Sequence, residues 1–416
     1  MKKCFDGHRY FYNLAVQEIN IRYEKRKQEF EKHPTCIHCK GPKEEGKYTC
    51  QKHKNKKIDW TLNIRADYIR EAVMKNDSEL TEDEKWQAEI PYATRDGGIR
   101  QAVSAYFSTV ANRMKGNISH FKLQFSSRKN KRQIFWIAKT ALKIKDDKVR
   151  LFVRRLCSDS ELIIKNRDRR HLPTENMTDC KILYDGVKYY LVLTIKTNIV
   201  EKIEGKKSEI ALDPGVRTFQ TGFCPEGLAF KFGENQAEQI KYIHNRIDKL
   251  NSVLTEKIKS RTKRNIKKRL AKLNRKITLI ADNLHNQCGS LLAKNFNTVI
   301  LPEFGTSKMQ VSDNLCSTVK RRMNSLSHYR FQQKLSYLCQ KHGSKLVIVD
   351  ESYTTKTCGM CGFIKDNVGS DKTYRCDQCN YQMDRDIHGA RNIWLKSSAA
   401  PTAGCGSHPL NTSLSP

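Results

Sequence analysis

The chain of 416 residues carries 77 Lys and Arg against 44 Asp and Glu, a net charge of +33 that calls for a polyanionic partner. Its mean hydropathy is −0.68, and no stretch reaches the roughly 18 to 20 apolar residues of a membrane helix, which excludes a helical integral membrane protein. At about 100 to 200 residues per domain the length gives two to four domains, and 38% hydrophobic residues can fill their cores, which excludes a wholly disordered basic protein.

The start, MKKCFDGHRY, lacks the apolar core of a signal peptide, so we expect an intracellular chain with reduced cysteines; its 15 Cys then point to metal. In HRYFYNLAVQEINIRYEKRKQEF, the spacing of Phe11, Leu14, Val16, Ile19 and Ile21 predicts a helix. From 61 to 115 the pattern stays helical, with the stripe Ile99, Val103, Tyr106, Phe107 and Val110, and it is interrupted at Pro91 and at Gly97-Gly98. Two or more helices are expected there. From 121 to 197 the runs FKLQF, QIFWI, KVRLFV and YYLVLTI, separated by polar turns such as Asp185-Gly186, predict a small β-barrel or sheet.

A new domain is expected near Lys206, where IALDPGVRTFQTGFCPEG reads as a strand, a turn at Pro214-Gly215 and a second strand. Ile240, Ile243, Ile247, Leu250, Leu254 and Ile258 form one apolar stripe, and Ile266, Leu270, Leu273, Ile277, Ile280 and Leu284 a second. Steps of three and four predict a helical hairpin over 236–292 that turns near Ser260. Residues 255–277 hold eleven bases, Lys263, Arg264, Lys267, Lys268, Arg269 and Lys272 among them, against one acid. A solvated helix face would leave that self-repulsion unexplained, whereas contact with phosphate accounts for it. NTVILPEF and SKLVIVDES follow as strands with a helix between them, which implies a mixed α/β sheet. The polar, Pro-interrupted end, 397–416, reads as a disordered tail.

Cys358-Gly-Met-Cys361 and Cys376-Asp-Gln-Cys379 each turn two sulfurs toward one point, and two such knuckles close a tetrahedral Cys4 shell around Zn²⁺. Four thiolates leave no open position for water, so this zinc is structural. Cys36-Ile-His-Cys39 followed by Cys50-Gln-Lys-His53 repeats the logic with one His ligand, giving one or two zinc ions per chain. Asp213 closes an apolar strand just where Pro214 and Gly215 turn the chain away, and Asp386 follows the ribbon in MDRDIHGARNIW. Two or three acids converging on a sheet edge in so basic a chain are what two Mg²⁺ need to act on a phosphodiester. Asp384 is the competitor of Asp386.

LDPGVRTF, the basic hairpin, LPEFGTSKM, HYRFQQKL, ESYTTKTCGMCG and YRCDQCNYQMDRDIHGARNI resemble the transposon-encoded TnpB nucleases and their eukaryotic relatives, the Fanzor proteins. The resemblance covers roughly 1–396, is most specific over 209–395, and leans to the Fanzor side. It implies a multidomain α+β protein. A helical recognition region, 1–120, would carry the knuckle 36–53, and a wedge-like β-barrel would span 121–205. The first part of an RNase-H-like (RuvC) α/β nuclease would occupy 206–357, with an inserted zinc ribbon, 358–379, and a last nuclease segment, 380–396. It also implies Mg²⁺-dependent, RNA-guided cleavage of double-stranded DNA by a monomeric ribonucleoprotein with no membrane partner, nuclear in a eukaryote and otherwise cytoplasmic or nucleoid-bound. A third catalytic acid has two candidates. Glu303 lies one place away from the spacing of bacterial relatives, and Glu351 occupies the relocated position of the Fanzor branch. The alternatives are a catalytically decayed relative acting as a repressor or RNA-binding scaffold and, more remotely, a strand-transferring transposase.

Overall fold

The computed structural model describes residues 1–32, 35–36, 39–42, 52, 64–118, 122–130, 132–145, 148–151, 161–163, 176–196, 204–303, 315–350, 354–365 and 371–399. The chain divides into two compact units, Met1–Thr197 and Asn198–Pro416. No helix among the described residues is long and apolar enough to cross a membrane.

The first unit opens with α1 (Lys2–Lys32), followed by α2 (Ala66–Val73) and α3 (Tyr92–Met114). Phe11, Val16 and Ile19 are buried against Ile69, Ile99, Ala102 and Tyr106, as the helical spacing requires, while Ile21 is exposed. The expected interruption at Gly97-Gly98 is absent, and α3 runs through both glycines. A Cβ on Gly98 would lie 2.4 Å from the carbonyl oxygen of His8, and one on Gly97 would lie 2.5 Å from the Trp136 ring. These glycines let α1 and Trp136 approach the helix; they do not end it. Pro91 instead marks its start, where a missing N–H costs nothing.

Two three-stranded antiparallel sheets follow, one of β1 (Gln133–Ile137), β5 (Cys180–Tyr184) and β6 (Tyr189–Val192), the other of β2 (Leu142–Lys145), β3 (Lys148–Leu151) and β4 (Glu161–Ile163). Phe135, Ile137, Val149 and Ile182 fill one core shared by both sheets. The FKLQF run forms no strand in its described part. Its backbone is held along α1 instead: the Tyr12 hydroxyl donates to the Gln124 carbonyl at 3.3 Å and Asn20 Nδ2 to the Leu123 carbonyl at 3.4 Å.

The second unit is built on a five-stranded sheet in the order β11-β10-β7-β8-β9. Strands β7 (Lys207–Pro214), β10 (Phe296–Pro302) and β11 (Lys345–Val349) are parallel, and β8 (Gln220–Cys224) and β9 (Leu228–Phe232) extend β7 as an antiparallel meander. After β9 come α4 (Glu234–Thr255) and α5 (Ser260–Asn295), the predicted hairpin; α6 (Ser317–Leu326) and α7 (His328–Lys341) lead into β11. Alternation along the strands sends Ile210, Leu212, Val299 and Leu301 into the main core with Ile240, Ile277, Leu284 and Phe331 of these helices. Ala211, Ile300, Val347 and Val349 face the other way, against Ile393 and Trp394 of α8 (Arg385–Ala399). Lys206 ties the helical layer to the start of the sheet, its ammonium donating to the Ala293 and His342 carbonyls and to Ser344 Oγ at 2.6 to 2.9 Å. Positive charge at the ends of α5 and α7 also suits their dipoles.

Candidate nuclease centre and metal ribbon

Parallel strands bring their carboxyl ends to one edge, where ligands bind in α/β sheets. Asp213 stands at that edge of β7, half-buried, on the face covered by α8. Helix α8 meets it at a glycine: a Cβ on Gly389 would lie 2.6 Å from Asp213 Oδ2. Asp386 lies three residues before Gly389 in the first turn of α8, on the same side of the helix. Two acids separated by 173 positions in the sequence are thus carried to the same corner of the fold.

The neighbouring residues form a row across the sheet. Asp213 pairs with Thr221 on β8, and Thr221 pairs with Lys231 on β9, so all three side chains share a face. Lys231 Nζ donates to Asp384 Oδ2 at 2.8 Å. The other oxygen, Asp384 Oδ1, accepts the backbone N–H groups of Asp386 at 3.1 Å and Ile387 at 3.2 Å, so Asp384 caps α8. Burial pushes the Asp384 carboxyl up, but the Lys231 ammonium and these amides outweigh it and hold it below its ordinary value. Both oxygens of Asp384 are occupied, which separates it from Asp386.

The two candidates for a third acid fall differently. Glu303 is exposed and continues the ladder without a bulge, its N–H donating to the Val349 carbonyl at 2.9 Å. Its place in the alternation is that of Val299 and Leu301, on the face opposite Asp213. Glu351 lies outside the described residues. Its neighbour Asp350 accepts a hydrogen bond from Lys396 at 2.8 Å.

Cys358, Cys361, Cys376 and Cys379 come together, all four sulfurs within 4.8 Å of one another. The Cys358–Cys379 and Cys361–Cys376 separations are 3.7 and 3.6 Å. Four sulfurs about 2.3 Å from a tetrahedral zinc would be about 3.8 Å apart, so the donor set fits that ion. Backbone N–H groups of Cys379 and Gln378 pull the Cys376 thiol down to about 6, toward the thiolate that a metal binds. Both knuckles share one backbone pattern. The first Cys N–H donates to the carbonyl five residues on (Phe363, Tyr381), and the residue four on (Gly362, Asn380) has a positive φ.

The segment around Cys36 repeats that pattern. Cys36 N–H donates to the Gly41 carbonyl at 2.7 Å, Lys40 N–H returns to the Cys36 carbonyl at 2.8 Å as Gly362 does to Cys358, and Lys40 has φ +55°. Cys50 and His53 lie outside the described residues.

The ribbon is fastened to the helix that carries Asp386. The His388 ring stacks on Tyr374 at 3.9 Å between centroids, and its Nε2 meets the Thr357 carbonyl at 2.9 Å. Asn392 donates to the Thr354 and Thr357 carbonyls, each at 2.7 Å. His388 is wholly buried, and burial lowers its pKa, so it acts as a neutral tie between ribbon and helix.

Lys263, Arg264, Lys267, Lys268, Arg269 and Lys272 are exposed on α5, and none has an acidic partner within 4 Å among the described residues. Sequence reasoning missed Lys231, Thr221 and Gly389. Only Gly389 left a trace, as a glycine inside a helical pattern three residues after an acid.

Residues 328–393 match the family model for the Cas12f1-like TNB domain. The chain is 29% identical over 322 residues to a protein of Paramecium bursaria Chlorella virus 1 named as a transposase, covering 75% of this chain and 71% of that one. It is 27% identical over 319 residues to a TnpB-like protein of Acanthamoeba polyphaga mimivirus, of whose length the match spans 57%. Over 90 residues it is 31% identical to the CRISPR-associated endodeoxyribonuclease Cas12f1 of Sulfoacidibacillus thermotolerans, 21% of each chain. A cryo-EM structure of a CRISPR-Cas12f ternary complex aligns with 94% of this chain and 80% of that one at a TM-score of 0.37 and 15% identity. The chain is thus similar to TnpB-like proteins over about three quarters of its length, and residues 328–393, which carry Asp386, match the Cas12f1-like TNB domain.

Proposed function

We propose that the chain is a Mg²⁺-dependent, RNA-guided DNA endonuclease of RuvC type. The observation that carries this reading is the packing of Gly389 on the Asp213 carboxylate, which brings Asp386 to the same sheet edge. The strand order supports it: in their own order the five strands run 3-2-1-4-5, with the first three antiparallel and the last two parallel to the first, as in an RNase-H-like sheet. Carboxylate oxygens are the donors that Mg²⁺ prefers, and Asp213 and Asp386 would hold it. When bound, the ion would activate water and stabilise the leaving oxygen of a phosphodiester. The residues of the chain position that chemistry: β7 fixes Asp213, and the α8 cap fixes Asp386.

Glu351 is assigned as the third acid. It follows Asp350 in the sequence, just past the strand whose Val347 and Val349 lie on the α8 face, whereas Glu303 has the face opposite Asp213. A glutamate at 351 also favours the Fanzor side of the family. We assign zinc to the Cys4 ribbon and a second zinc to Cys36, Cys39, Cys50 and His53, because the Cys36 turn copies the ribbon knuckles. The exposed bases of α5 are assigned to the phosphates of a guide–target duplex. A hybrid of about 20 base pairs carries about 40 phosphates, comparable to the net charge of +33. The protein would act as a monomer with its RNA. The names of relatives support this assignment, since Cas12f1 is named as an endodeoxyribonuclease and a protein of Escherichia coli that is 23% identical over 234 residues is named as an RNA-guided DNA endonuclease. The test is to purify the chain with its cellular RNA, sequence that RNA, and challenge the complex with matching DNA and Mg²⁺. Cutting by the parental protein and none by Asp213→Ala supports the reading; equal cutting by both would refute it.

A further inference from the structure

Asp384 sits two residues before Asp386 and on the approach to the same corner, yet it is engaged at both oxygens. Its Oδ1 takes the two free amides of α8, and its Oδ2 takes the Lys231 ammonium at 2.8 Å. Lys231 is well placed for this, exposed on β9 and in register with Thr221 and Asp213 on the α8 face. We propose that Lys231 is a positioning residue of the cleavage centre, which neutralises Asp384 and withholds it from the divalent ion so that Asp213 and Asp386 alone face the ion from these elements. The inference rests on the nuclease reading of this site.

An unpaired Asp384 carboxylate beside Asp386 would attract a divalent cation more strongly but draw it toward the helix cap, away from Asp213. Lys231 lowers the attraction and restores the placement. Asp386 and Glu234 are the other acids whose field reaches Lys231, and neither accepts its hydrogen bond among the described residues. A purely structural salt bridge behaves differently: losing either partner would then perturb the site in the same sense. If Lys231 acts as a counter-charge, the two losses have opposite signs and cancel together.

The probe is Mn²⁺ alone, titrated onto the purified chain with the RNA it carries and followed by electron paramagnetic resonance, with Asp386→Ala defining the signal that belongs to the site. Lys231→Met should tighten that Mn²⁺ by about fivefold or more, the scale of one unit charge several ångströms from a divalent ion near aqueous dielectric. Asp384→Asn keeps an oxygen to accept the α8 amides, leaves Lys231 unpaired, and should weaken binding by a similar factor. The double variant should return to within about twofold of the parental affinity, and Lys231→Arg should match the parental chain. Shifts of the same sign in both single variants, or none in either, overturn the inference and leave the nuclease reading standing. If Asp386→Ala itself leaves Mn²⁺ binding unchanged, the nuclease reading of the site fails, and the role of Lys231 fails with it.

Discussion

At the scale of single residues, a contact between a glycine and a carboxylate joins α8 to β7. The space beside Asp213 Oδ2 is only large enough for a residue without a side chain of any bulk, and Gly389 supplies it. Gly389→Val should displace Asp213 and lower DNA cleavage by about 100-fold or more while RNA binding persists; such a loss is the expected cost of moving a reacting group by about 1 Å. Parental cutting by that variant would show that the helix and the strand do not meet as described. Asp213→Ala and Asp386→Ala should each cost several kcal/mol of transition-state stabilisation, about 10³-fold or more in rate. Target binding should be unchanged, because neither acid contributes to the attraction for phosphate. Both acids were legible in the sequence: a strand that ends in Asp-Pro-Gly exposes its carboxylate, and an Asp opening an amphipathic segment caps or lines something. Lys231 and Thr221 were not legible. Their part depends on the register of β7, β8 and β9, and a register is a long-range property that local spacing does not encode.

At the scale of elements, the basic hairpin and the ribbon do different work. The hairpin was readable from its two apolar stripes, and Ile240, Ile243, Ile247, Ile277 and Leu284 bury as the period requires. Its exposed bases should meet phosphate and not read sequence. Neutralising Lys267, Lys268 and Arg269 together should weaken binding to every nucleic acid alike and reduce the salt slope by up to about 0.9 per lost contact. A changed target preference at constant slope would count against that assignment. The ribbon was readable from cysteine spacing, but its attachment was not. Tyr374, His388 and Asn392 bind it to α8, two to six residues beyond Asp386. Removing its metal should therefore loosen the acid-bearing helix as well as the ribbon. Cys376→Ala should lower soluble yield severely, and the remaining soluble fraction should melt at lower temperature. Elemental analysis should find two zinc per chain, falling to one in a Cys36→Ser, Cys39→Ser variant; one zinc in the parental chain would remove the N-terminal site. The Gly97-Gly98 misreading has a physical cause of its own. A glycine pair looks the same in a sequence whether it ends a helix or lets another helix in, and here Trp136 and the backbone of His8 fill the space.

At the scale of the whole molecule, the sheet of the second unit decides which acids can act together. Carboxyl ends of β7, β10 and β11 share an edge, and alternation then sorts the acids by face. Glu351→Gln should abolish cleavage with DNA binding retained, whereas Glu303→Gln should cut at close to the parental rate. The reverse result would mean that β10 reaches the centre by a route that its ladder does not provide. The general plan, helices first, small sheets next and a mixed α/β sheet last, was legible because the hydrophobic period changes from helical to alternating near 121 and mixes after 206. The strand order was not, since nothing local records that β7 lies between β8 and β10.

On this reading, RNA held by the chain directs cleavage through Asp213 and Asp386. The most direct measurement takes the complex purified with its own RNA and presents double-stranded DNA that matches the sequenced guide portion, in Mg²⁺ and in EDTA. Parental complex should cut the matching DNA in Mg²⁺ only, leave a scrambled duplex intact, and lose cutting but not binding in Asp386→Ala. Matched DNA that is bound and never cut by the parental complex, or cut equally by Asp386→Ala, would contradict it.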